Sequence, residues 1–144
     1  MENIREATLN DKDQIYRLLV VLEETTPDPK CFSDIYESNL SNPTIFYYVY
    51  ERDYEILGFI SIHIQQLLHH TSKIAEIQEL IVEPTLRYQG IGKRLFQKVK
   101  EVSIENDCTQ IEVCCNQRRT SSHKFYQSLG MTNNHYKFCL PLLY

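Results

Sequence analysis

The spacing of apolar residues changes several times along the chain, and each change marks an element. Ile4 to Thr8 reads as a short strand, and Asn10 with Asp11 caps a helix that carries Ile15, Leu18, Leu19 and Leu22 on one face. After Pro29, Phe32, Ile35, Tyr36 and Leu40 recur at helical spacing, until Asn42-Pro43 ends that helix; a residue before proline is kept out of the helical basin. Thr44 to Tyr50 is β-branched and aromatic, Glu51 to Tyr54 turns the chain, and Ile56 to Ile64 completes a predicted antiparallel hairpin. The polar stretch Gln65 to Ser72 then breaks the pattern, and Lys73 to Val82 resumes as a strand ended by Glu83-Pro84. Gly90 to Glu105 predicts a helix with Ile91, Leu95, Val99 and Val102 on its buried face. Gln110 to Cys115 predicts a strand, Ser121 to Leu129 a helix stopped by Gly130, and Tyr136 to Leu140 a last strand. The expected class is α/β, a single-domain mixed and mostly antiparallel sheet flanked by helices.

Length supports that reading: 144 residues, 42% hydrophobic, make one ordinary domain over 1–144. A chain of this size removes about two thirds of its unfolded surface from water and needs no disulfide or metal staple. The formal net charge of −4 argues against a diffuse basic surface, so nucleic acid is not an expected partner. No apolar run follows a basic start, and none approaches the ~18 residues of a membrane span, so a soluble, unsecreted, cytoplasmic protein with no membrane partner is expected. The five cysteines, Cys31, Cys108, Cys114, Cys115 and Cys139, are odd in number and lack CxxC spacing, which fits reduced thiols. A homodimer is left open.

The first sign of chemistry is Arg87-Tyr88-Gln89-Gly90-Ile91-Gly92-Lys93-Arg94, which follows an apolar strand and opens a helix. Glycine permits a tight turn and a close ligand, and amides at a helix N-terminus carry about half a positive charge, which suits a pyrophosphate. A Walker loop is excluded because Gly-Lys-Ser/Thr is missing, and a dinucleotide fold is disfavoured by the late, mostly antiparallel strand order. A shaping role for Gly90 and Gly92 in a plain strand-to-helix turn is the bland alternative.

The segment resembles the acetyl-CoA motif of the GNAT superfamily of N-acetyltransferases, Arg/Gln-x-x-Gly-x-Gly/Ala after a strand. A second landmark of that family is similar too: Asn116 after the next strand, then Phe125-Tyr126-Gln127-Ser128-Leu129-Gly130-Met131. The order of elements matches the family's fold over nearly the whole chain. Within the superfamily, His63-Ile64-Gln65, His69-His70, Glu76-Ile77-Gln78-Glu79-Leu80, and Asn116 with Arg119, His123, Phe125 and Tyr126 look like the bacterial aminoalkylphosphonate N-acetyltransferases. The likeness implies acetyl-CoA as cosubstrate, a small-molecule amine as acceptor and an activity associated with a divalent cation. Arg87 to Arg94 and the segment Leu80, Ile81 and Val82 would then hold the cosubstrate, Leu80 N–H would face the thioester oxygen, and Asn116 would bind the pantetheine arm. Tyr126 resembles the family's general acid.

Acetyl transfer to an amine adds one demand. An alkylamine with a pKa of about 10.4 is nearly all protonated at neutral pH, and deprotonation costs roughly 4–5 kcal/mol, so a general base is expected. Uninterrupted alternation over Lys73 to Val82 puts Ala75, Ile77, Glu79 and Ile81 on one face and Glu76, Gln78, Leu80 and Val82 on the other, unless a bulge intervenes. Glu79, a carboxylate on an apolar face just before the cosubstrate segment, is the expected base, with Glu76 in reserve. His63, His69 and His70 match no closed zinc spacing; with Arg118 or Arg119 supplying a guanidinium they are candidates for an anionic acceptor headgroup, and the metal is left unassigned. No histidine is placed to activate Cys114 or Cys115, so a covalent acyl-enzyme is not favoured. A protein or peptide N-acetyltransferase and a non-catalytic acyl-CoA-binding sensor stay open as alternatives.

Overall fold

The computed structural model describes residues 1–22 and 26–143, and the chain divides into two compact units, 1–112 and the remainder from Val113 on. The first unit runs β1 (Glu2–Glu6), α1 (Lys12–Leu22), α2 (Pro29–Leu40), β2 (Ile45–Arg52), β3 (Glu55–Leu67), β4 (Ser72–Val82) and α3 (Ile91–Glu105). β5 (Cys108–Val113) closes it, and α4 (Thr120–Ser128) belongs to the second unit. The five strands lie in one sheet in the order β1-β2-β3-β4-β5, with β1 to β4 antiparallel. The mixed α/β class, with helices flanking a mostly antiparallel sheet, agrees with the expectation.

Local chemistry explains the boundaries. Asp28 caps α2 by accepting from the Cys31 N–H at 2.8 Å, and Pro29 fits the first turn, where its missing N–H is not needed. α1 begins at Lys12, directly after the Asn10-Asp11 signal, and the 3-10 turn Leu9–Asp11 leads into it. Arg52 pairs directly with Glu55, so the β2–β3 turn shrinks to Asp53 and Tyr54, both at positive φ, +50° and +68°.

Three expectations are corrected. Gln65 to Leu67 remain paired with Ile74 to Ser72, so the predicted break is only the loop 68–71; ladder hydrogen bonds outlast the apolar alternation there. β5 starts and ends two residues early, which leaves Cys114 and Cys115 outside it. Tyr136 to Leu140 is not a strand: residues 131–143 carry no regular secondary structure, and Tyr136, Phe138 and Leu140 are 81%, 93% and 84% exposed. Alternating side chains are compatible with a strand, but only a partner's N–H and C=O groups make one.

The sheet of the first unit buries both faces. Val49, Ile56, Phe59 and Ile81 pack with Ile15 and Leu18 of α1 and Tyr36 of α2. On the other face Ile60 and Ile62 are buried, and α3 contributes buried Ile91, Leu95, Phe96, Val99 and Val102, each worth roughly 1.5–3 kcal/mol. A Cβ on Gly58 would come within 3.0 Å of Leu95 Cδ1 and 3.2 Å of Ile91 Cγ2, so a side chain there would push α3 off β3.

Candidate active site

The chemistry of the first unit gathers around an irregularity in β4. Ser61 of β3 pairs with Glu79, but the next residue, Ile62, pairs with Ile77, so Gln78 is an extra residue on β4. One inserted residue reverses the parity of the strand. Phe59, Ser61 and His63 share a face of β3, and their partners are Ile81, Glu79 and Glu76. Glu76 and Glu79 therefore lie on the same face, which corrects the uninterrupted alternation that separated them. Ile77 is returned to the opposite, apolar face beside Ile62.

Glu79, Gln78 and His63 line a cleft of about 400 Å³ between this face and the first two helices, together with Asn39 and Asp28 of the α2 region. Its wall is a run of aromatic rings, Phe32 to Tyr36 at 5.8 Å, Tyr36 to Tyr47 at 5.4 Å and Tyr47 to Phe59 at 5.3 Å between centroids, and Phe32 packs in turn on Tyr16 at 5.0 Å. Asn39 Nδ2 donates to the Tyr47 hydroxyl at 2.7 Å. Burial raises the Tyr47 phenol and the negative charge of Glu79 raises it further, while the Asn39 bond opposes both. Glu79 itself is tied to β3: the Ser61 hydroxyl donates to Glu79 Oε1 and accepts from the Glu79 N–H at 3.0 Å. Gln78 Nε2 donates to Glu76 Oε1 at 2.8 Å.

The glycine turn leads into α3. Gly90 stands at its N-cap with φ +84°, and Tyr88, 96% exposed, has φ +66°. A Cβ on Gly90 would meet nothing within 4 Å, so its glycine answers to backbone conformation rather than to crowding by the protein. The first amides of a helix lack intrahelical partners, and Arg94 N–H to Gly90 C=O at 3.1 Å is the bond that closes the first turn here. Arg87, Gln89, Lys93 and Arg94 are exposed, as an anion site requires. Arg94 is already engaged: its Nη1 reaches Glu2 Oε2 at 3.0 Å and its guanidinium sits 5.2 Å over the Tyr50 ring. The side chains of Ile81 and Ile91 are in the core, so any contact they make with a cosubstrate is through backbone. Leu80 and Val82 are half-buried.

In the second unit, Asn116 Oδ1 accepts from the Arg118 N–H at 2.9 Å, and its carbonyl accepts from the Arg119 N–H at 3.0 Å, which makes it a turn residue. Arg119 is the N-cap of α4. Tyr126, in α4, stacks edge-on with Phe125 at 5.2 Å. Burial pushes its phenol up to about 12, with the neighbouring Cys115 adding to the rise and Arg119 opposing it.

These elements have counterparts in known proteins. The model of the acetyltransferase (GNAT) family matches residues 12–131, which takes in the cleft, the glycine turn and α4. The chain belongs to the GNAT family. It is 36% identical over 139 residues to an aminoalkylphosphonate N-acetyltransferase of Salmonella typhimurium, covering 96% of this chain and 90% of that one. Among solved structures it resembles a transcriptional regulator from Bacillus halodurans, with TM-score 0.89, 23% identity and 99% and 100% of the two chains covered. It also resembles a glucosamine-6-phosphate N-acetyltransferase from Arabidopsis thaliana, with TM-score 0.83, 20% identity and 98% of each chain covered. At such identities the two structures speak for a shared GNAT fold. The family and its relative make this chain an N-acetyltransferase.

Within this GNAT chain the fold brings together Glu79, His63 and Glu76, whereas His69 and His70 lie in the loop 68–71, at the far end of the β3–β4 hairpin. Their rings are 4.4 Å apart, and His70 Nε2 is 3.8 Å from Glu112. Four residues of strand, about 13 Å, separate His63 from Leu67 where that loop begins. The divalent cation finds no support: among the described residues no three His, Cys, Asp or Glu side chains converge as a cation site. Histidines close in sequence do not converge when a strand carries one of them away. Among the described residues no helix is long and apolar enough to cross a membrane. Sequence reasoning missed Ser61, whose signal was a lone hydroxyl in the apolar run Phe59 to Ile64, and it left a bulge in Lys73 to Val82 open without placing it at Gln78.

Proposed function

We propose that the protein, acting as one acetyltransferase domain over 1–144 in the cytoplasm, transfers acetyl from acetyl-CoA to the primary amine of a small molecule. The observation that carries the reading is Glu79, a carboxylate fixed at the extra residue of β4 in the wall of a small aromatic cleft. Aromatic faces and a carboxylate attract an ammonium group, and about 400 Å³ suits a small acceptor. The name of the Salmonella relative makes an aminoalkylphosphonate the first acceptor to test.

In this mechanism Glu79, directly or through one water, removes the ammonium proton. The free amine attacks the thioester carbonyl, with the Leu80 N–H as donor to the developing oxyanion. The C–S bond breaks, Tyr126 gives the departing thiolate its proton, and the proton that the attacking nitrogen sheds on becoming an amide passes through solvent to restore the Tyr126 phenol. The glycine turn from Arg87 to Lys93 holds the pyrophosphate on the N-terminus of α3, and Asn116 holds the pantetheine arm. His63, inside the cleft, is the acceptor contact that the first unit supports best, ahead of His69 and His70, and Arg119 stays a candidate for the anionic group.

The test is an acetylation screen of aminophosphonates, polyamines, amino acids, aminoglycosides and peptides that follows release of free coenzyme A. Turnover is expected with a small primary amine. Peptides outperforming every small amine would overturn the acceptor class, and release with none of them would favour an acyl-CoA-binding sensor.

A further inference from the structure

Asp11, Ser61 and Ser103 are the polar or charged residues found in the core among those described. Two have structural explanations: Asp11 is held by Arg5, and the Ser103 hydroxyl donates to the Val99 carbonyl one helical turn back. Ser61 is fully buried between Ile60 and Ile62, where a β-branched apolar residue would pack without a hydroxyl to satisfy. Its hydroxyl is spent entirely on Glu79. It accepts from the Glu79 N–H at 3.0 Å, a group whose ladder is interrupted by the extra residue beside it, and it donates to Glu79 Oε1.

We infer that Ser61 is the positioning residue for the general base: it locks the backbone and one carboxylate oxygen of Glu79 so that the other oxygen is presented to the acceptor amine. The inference rests on the proposed role of Glu79. A glutamate has three side-chain torsions, and an unheld carboxylate in a cleft wall samples several directions. Two bonds from one immobile hydroxyl reduce that freedom, and a misplacement of about 1 Å in a reacting group can lower a rate by about 10²-fold.

The experiment is a double-mutant cycle on purified enzyme with the best acceptor of the screen. Ser61→Ala is expected to lower kcat about 10- to 100-fold with the KM for acetyl-CoA unchanged, and Ser61→Thr, which keeps the hydroxyl, to retain most of kcat. In a Glu79→Gln background the Ser61→Ala change should have little further effect, because the group it positions no longer takes the proton. If Ser61→Ala fails to fold, Ser61→Cys fills the space with a weak donor and should show the same loss. A wild-type kcat in Ser61→Ala beside an impaired Glu79→Gln overturns the positioning role and leaves the base in place. A loss that persists in full when Glu79 is already Gln assigns Ser61 to general structure and overturns it as well. Wild-type activity in Glu79→Gln alone overturns the base, and the positioning role with it.

Discussion

At the scale of single residues, the reaction needs a group that takes a proton and a group that gives one. Replacing Glu79 by Gln keeps size and polarity but removes the proton acceptor, so the rate at neutral pH should fall by ~10²–10⁴. As pH rises toward the amine's own pKa of about 10.4, the free base forms without help and the variant should recover. Parallel rate profiles from pH 6 to 10 for variant and wild type would remove Glu79 from the mechanism. Tyr126, raised to about 12 by burial, keeps its proton throughout that range, so the alkaline limb of the wild-type profile should not be its titration. Tyr126→Phe preserves the ring that packs on Phe125 and is expected to retain acetyl-CoA binding while lowering kcat. Calorimetry and steady-state rates check the two halves of that statement; full activity would leave thiolate protonation to water.

At the scale of elements, the extra residue of β4 and the turn before α3 do different work. The first re-aims side chains: without Gln78 in excess, Glu76 would point away from Glu79. The second presents backbone. Gly90 is demanded by its own φ of +84°, so its substitution mixes strain with any ligand effect. Gly92, the second residue of α3, gives the cleaner probe. Gly92→Val adds bulk where a pyrophosphate would approach the helix N-terminus, and acetyl-CoA affinity should fall at least tenfold while thermal stability changes by about 1 kcal/mol or less. An unchanged affinity by calorimetry in a folded Gly92→Val protein would sink the assignment of this turn to the cosubstrate.

At the scale of the whole molecule, the first unit is held at its outer edge by a charge network that the sequence did not announce. Arg5 of β1 donates to both Asp11 oxygens, at 2.8 and 2.9 Å, and to Glu51 of β2 at 2.9 Å, while the Thr8 N–H donates to Asp11 at 2.7 Å. Burial alone would raise the Asp11 carboxyl, but Arg5 and Thr8 outweigh it and hold the group below the usual range. A lowered native pKa contributes stability that is present above the unfolded value of about 3.9 and is lost as pH falls through the native one. Asp11→Asn should therefore lower stability by about 1–3 kcal/mol at pH 7, and the gap to wild type should narrow on acidification; chemical denaturation at pH 7 and pH 3 checks both. The sequence by itself determined the four helices found among the described residues, the hairpin strands, the glycine turn and the pairing of two family motifs, because each is a local pattern of period or turn chemistry. It also pointed to Glu79, a carboxylate just before the segment that the family likeness gives to the cosubstrate, with Glu76 in reserve. The tertiary structure alone decided that Glu76 shares the face of Glu79, that Ser61 is bonded to it, that His69 and His70 lie outside the cleft, and that Tyr136 to Leu140 is not a strand. Those four depend on register, on one uncounted residue in β4 and on a pairing partner, and such relations join positions far apart in the chain.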